Sequence, residues 1–126
     1  MAPHRLTAIV VLLACSCGDD TGSEPDPGDG KVHPAPNGVR TSETQACTRL
    51  QNALHDRAFE LGCSTTLRPC PDLLRAQFTT PCMEYDQGSV DGCVSYFRAR
   101  PSCAELVAEI CVVVPYPGTE PAGCPP

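Results

Sequence analysis

Eight cysteines fall in the last 84 residues of this 126-residue chain, at Cys47, Cys63, Cys70, Cys82, Cys93, Cys103, Cys111 and Cys124. The intervals between them are 15, 6, 11, 10, 9, 7 and 12 residues. None is the Cys-x-x-Cys spacing of redox and zinc sites. An even set in a short exported domain is instead a disulfide framework. Staples matter at this size, because a core of under ~80 residues rarely supplies more than ~3–5 kcal/mol. Each bridge closing a loop of ~15 residues adds ~3 kcal/mol on the chain-entropy account. Spacing alone does not fix the pairing, but two pairs are favoured. Helices folded back at 99–102 bring Cys93 nearer Cys111 than Cys103, and Cys63 and Cys70 could close a first hairpin across its turn.

Export is argued from the other end of the chain. Residues 1–14 have the parts of a signal peptide: a weakly basic start ending at Arg5, then an apolar run from Leu6 to Leu13. Eight residues are far short of the ~20 that a membrane-spanning helix needs. Leu12-Leu13-Ala14-Cys15 follows, and it resembles the lipobox of bacterial lipoprotein precursors. That resemblance implies cleavage before Cys15, with diacylglycerol on its thiol and a further chain such as palmitate on its amine. Two or three acyl chains, at ~0.8 kcal/mol per buried methylene, anchor a protein stably in a membrane. Ser16 in second place resembles the sorting signal for the outer membrane, giving a cell-envelope location, periplasmic or surface-exposed. Cys17 is then left over from the paired set.

Residues 15–42 read as a tether. Ser16 to Ser42 holds Asp19, Asp20, Glu24, Asp26 and Asp29 against Lys31 and Arg40, with many Gly and Pro and only Val32 and Val39 as sizeable aliphatics. Such a segment buries too little apolar area to offset its ordering entropy and is expected to be disordered. As a flexible coil it would span roughly 30 Å.

Residues 43–126 read as the folded domain, all-α, a small disulfide-rich bundle of about four short helices. Ser42-x-x-Gln45 is a capping box. Ala46, Cys47, Leu50, Ala53, Leu54, Ala58 and Leu61 then recur on one side, and Gly62 stops the helix. Pro71 suits the first position of a shorter helix carrying Leu74 and Phe78. Ser89 to Ala99 makes a third, striped by Val90, Cys93, Val94, Tyr96 and Phe97, with Gly92 weakening it by ~1 kcal/mol. Ser102-x-x-Glu105 opens a fourth, in which Cys103, Leu106, Val107, Ile110 and Cys111 share a face opposite Glu105 and Glu109. Val112 to Val114 either extends it or turns into a short strand.

Pro81-Cys82, Glu84-Tyr85-Asp86, Cys93-Val94-Ser95-Tyr96-Phe97 and Ser102-Cys103-Ala104-Glu105-Leu106 resemble segments of small cysteine-rich bacterial lipoproteins of unknown function. The resemblance implies an architecture and an address, but no activity.

The chemistry open to the domain is narrow. Its one histidine is His55, so two-imidazole sites are excluded, and no catalytic or phosphate-cradling motif is present. No metal site, cofactor or enzymatic activity is expected. Glu105 and Glu109 read as a hydrated helix face. Ten acids against six bases give the domain a net charge of −4, the wrong sign for nucleic acid. The expected function is a lipid-anchored binding or structural module with an envelope protein as partner. The competing reading is a carrier of a lipid or other hydrophobic ligand, as in the small helical eight-cysteine lipid-transfer proteins of plants. Those carry adjacent Cys-Cys and Cys-x-Cys, and neither occurs in this set. His55 and Phe59 project from the polar side of the first helix with Thr48 and Asn52. They are the residues to watch for partner contact, unless the Pro-rich tail tied back through Cys124 covers Phe59, or the ring is simply exposed.

Overall fold

The computed structural model describes residues 28–64, 66–78, 82–121 and 124. The signal segment, Cys15, Cys17 and the first part of the tether, up to residue 27, therefore lie outside the described residues. Among the described residues no helix is long and apolar enough to cross a membrane.

Helix α1 runs Glu43–Leu61 and forms where its local signals place it. The Ser42 hydroxyl accepts the Gln45 N–H at 3.2 Å. The capping box is only half closed, because the Gln45 amide oxygen takes the Thr41 hydroxyl instead. Gly62 ends the helix at φ 68°, a left-handed conformation that costs glycine nothing. The Cys63 N–H returns to the Ala58 carbonyl at 2.9 Å, closing the turn. Ala46, Cys47, Leu50, Ala53, Leu54 and Ala58 are buried as the periodicity predicts.

Helix α2 is a single turn, Asp72–Arg75, with Pro71 at its cap and Leu73 and Leu74 in the core. Helix α3 spans Gln87–Arg98 and starts two residues before the predicted Ser89, because Asp86 is its cap. It packs along α1 through Val90, Cys93, Val94 and Phe97.

Helix α4 departs most from expectation. It covers only Cys103–Val107. Glu109 turns the backbone at φ 47°, and the chain leaves extended. Val107 is therefore 41 % exposed rather than buried, and Ile110 and Cys111 lie outside the helix. The run Cys111–Val114 alternates buried and half-buried residues, a period of two that its β-branched side chains favour.

The all-α expectation is corrected by a three-stranded antiparallel sheet. Strand β1 is Arg40–Thr41, β2 is Glu84–Asp86 and β3 is Pro115–Tyr116, with β2 in the centre. Arg40 pairs with Asp86 and Thr41 with Tyr85 on one side, and Glu84 with Tyr116 and Tyr85 with Pro115 on the other.

The tether expectation is corrected as well, since its last part belongs to the domain. Val32 is buried and forms a parallel bridge with Cys111, its N–H on the Ile110 carbonyl and its carbonyl on the Val112 N–H, both at 2.9 Å. Pro34 is buried too. Its ring lies over Gly92, where a Cβ would collide with it, and a Cβ at Gly88 would meet Asn37 at 2.8 Å. Gly88 and Gly92, one turn apart, thus form a notch in α3 that holds residues 34–37. Low hydrophobicity missed this, because the segment is held by backbone pairing and close approach more than by apolar side chains.

All eight domain cysteines are paired. Cys93–Cys111 forms as the hairpin geometry suggests. The Cys63–Cys70 expectation is wrong. Cys70 pairs with Cys47, and Cys63 with Cys103. The seven residues from Cys63 to Cys70 reach ~24 Å at most, and Cys47 lies ~24 Å back along the helix from Cys63. The chain has just enough length to run back along α1 to Cys47. Cys63, at the end of α1, is left facing the start of α4. Cys82–Cys124 ties the tail to the chain before β2.

Candidate functional site

Two buried polar clusters organise the molecule. Asp86 is fully buried between sheet and helix. It accepts the N–H groups of Ser89 and Gly38 at 2.8 Å and of Asn37 at 3.1 Å, and the Tyr116 hydroxyl at 2.8 Å. Burial alone would raise its pKa. The bonds from Ser89, Tyr116, Asn37 and Gly38 outweigh that and hold the carboxyl below its ordinary value. One carboxylate thus joins residues 37–38, the start of α3 and β3. Glu43 does the same at the start of α1, taking the Arg75 guanidinium at 3.0 Å and the Cys82 N–H at 2.8 Å. Beside it the Tyr85 hydroxyl is buried without a hydrogen-bond partner. Burial, reinforced by the Glu43 charge and opposed by Arg75, pushes its pKa up to about 12.

Both carboxylates are engaged by groups of the fold itself; Asp86 is fully buried, whereas Glu43 is largely buried and also lines a small pocket of about 230 Å³ beside Cys82 and Thr119. Glu105 and Glu109 do not form a pair on one helix. Glu105 returns to the Ser102 hydroxyl at the cap, while Glu109 lies beyond the helix end. Burial raises the Glu109 pKa, against the pull of Arg68. Among the described residues no group of three or more His, Cys, Asp or Glu is placed to hold a metal ion.

The outer face of α1 is different. His55 and Phe59 are both exposed, Phe59 by 89 %. The tail does not cover the ring among the described residues. It is fastened through Cys82, whose N–H sits on Glu43 at the far end of the helix, ~24 Å from Phe59 along the axis. At 100° per residue, Thr44, Gln45, Thr48, Asn52, His55 and Phe59 fill a sector ~100° wide. All six are exposed, and the sector contains no Asp, Glu, Lys or Arg. The charges of α1 stand outside it, with Arg49 paired to Asp91 of α3.

A groove opens on the same face at the first turns of α1. Its volume is about 480 Å³, and Thr41, Thr44, Gln45, Thr48, Arg49 and Gln87 line it. Strand β1 supplies one wall and the start of α3 another, so the Asp86 cluster that joins them also shapes the groove. Sequence reasoning found His55, Phe59, Thr48 and Asn52 but missed the groove. Thr41 and Gln87 reach it only through a sheet that was not foreseen. Asp86-x-x-Ser89 was the available signal, since Asp is a preferred helix cap. The chain matches no protein-family model, no curated protein and no solved structure, so its own geometry carries the functional reading.

Proposed function

We propose that this chain is a cell-envelope lipoprotein, held by acyl chains on Cys15, whose stapled module binds a protein partner through the outer face of α1. It acts by binding and not by catalysis. The observation that carries the binding half is Phe59, 89 % exposed within a sector free of charged side chains. A lone exposed aromatic is ordinary. An aromatic among uncharged hydrogen-bonding groups has the composition of an interface core, where aromatics are enriched and charges depleted. Support for the envelope half is the Leu12-Leu13-Ala14-Cys15 sequence together with four disulfides, which persist in oxidising compartments.

Mass spectrometry of the mature N-terminus tests the address. Cys15 should be the first residue and should carry added acyl mass, and Cys15→Ala should lose the membrane fraction. An unmodified chain starting elsewhere refutes the anchor. Radical footprinting tests the face. Phe59 and Thr48 should be protected several-fold in the intact envelope relative to the purified chain, and equal reactivity refutes the binding surface.

A further inference from the structure

We infer that the partner on the outer face of α1 is a second copy of this chain, docked antiparallel with Phe59 of each copy in the groove of the other. The inference rests on the reading of that face given above and names its occupant.

Projection and recess lie on one face of one helix. Phe59 follows Thr48 by 11 residues and Thr44 by 15, which at 100° per residue brings it within ~20° and ~60° of them. A cavity of ~150 Å³ holds a benzene ring, so a groove of about 480 Å³ has room for a phenyl side chain and its flanks. Threonine methyl groups and glutamine methylenes supply apolar contact there, and their polar ends stay at the rim.

The spacing closes under a two-fold axis. An isologous contact requires that the projection of one copy meet the recess of the other, and the reverse. The axis then passes between the two α1 helices, level with the midpoint between the groove and Phe59, beside Asn52. Asn52 is exposed on this face, and its amide both donates and accepts, so it can bond to its own symmetry mate.

Charge limits where two copies can touch. The chain carries a formal net charge of −6, so two copies repel wherever their carboxylates meet. The sector from Thr44 to Phe59 lets them approach without burying a like charge. Its extent also sets the strength. Alpha1 is ~28 Å long, a strip well below the ~800 Å² per partner of a standard interface. The pair is therefore weak in free solution and depends on the raised effective concentration that anchoring on a shared surface provides.

The test replaces Phe59 by the photoreactive analogue p-benzoylphenylalanine in the full chain, expressed with its own N-terminus. Irradiation of the envelope should give a product of twice the chain mass, cross-linked from position 59 to residues 41–49 or Gln87. Adding Thr48→Glu, an exposed substitution, should remove that product while the purified variant keeps its melting temperature. A doubled product that persists in the folded Thr48→Glu chain overturns the docking geometry. Cross-linking to a different molecule overturns the second-copy inference but leaves the face as a binding surface. No cross-link to any macromolecule overturns both.

Discussion

Helices α1 and α4 open on the same signal and end very differently. Each begins at a serine whose hydroxyl takes the amide three residues on, and each continues with apolar residues at helical spacing. One runs 19 residues and the other five. Alpha1 has its stop written locally, in Gly62. Alpha4 is stopped from outside: Cys103 is tied back to Cys63, Cys111 is tied to α3 through Cys93, and the residues flanking Cys111 hydrogen-bond to Val32. A capping box therefore says where a helix begins, while bonds made elsewhere decide how far it goes.

Removing the staple should break the comparison most strongly. Cys93 and Cys111 are both essentially buried, and replacing the pair with alanine should cost about 3 kcal/mol or more in urea denaturation. Amides of residues 110–114 should lose hydrogen-exchange protection before those of α1. If α1 frays first, its independence is refuted.

Asp86→Asn comes next, at about 1.5–3 kcal/mol for weakened bonds to a charged group. The wild-type carboxyl has a lowered pKa in the folded state. As pH falls below ~4, the unfolded chain binds this proton first. The Asp86 contribution is thus present above that range and is lost as pH falls through the folded pKa. Urea midpoints between neutral and acid pH should fall more steeply for wild type than for Asp86→Asn.

Gly92→Ala sharpens the contrast by reversing a local rule. On a free helix the change stabilises by ~1 kcal/mol. Here the methyl meets Pro34, and overpacking of about 1–3 kcal/mol should outweigh that gain. A raised melting temperature would mean that residues 34–37 are not held in the notch.

Phe59→Ala should move stability least, by less than ~0.5 kcal/mol, as at an ordinary surface site. A larger loss in the purified chain would show that the ring is covered within the molecule.

Legibility in the sequence followed the range of the interactions. Alpha1 and the start of α4 are specified within a few residues, and the capping serines and Gly62 sufficed to find them. The sheet was not legible, because β1 and β3 are two residues each and exist only as partners of β2. The order of residues 32–38 was hidden for a related reason. Its determinants are Gly88, Gly92, Cys111 and the Asp86 carboxylate, all at least 48 positions away from the residues they hold. Of the candidate site, the helix face was readable from periodicity. The groove needed three separate elements to meet.

The bridge at Val32 also determines how the molecule would carry a mechanical load. Tension drawn through the residues before Val32 enters the domain at hydrogen bonds to Ile110 and Val112 and passes within one residue to Cys111. From there a covalent bond transmits it to the middle of α3. The force meets a cross-linked strut before it can peel α1 from the core, so the segment can pull free at Val32 while the part of the surface formed by α1 keeps its shape.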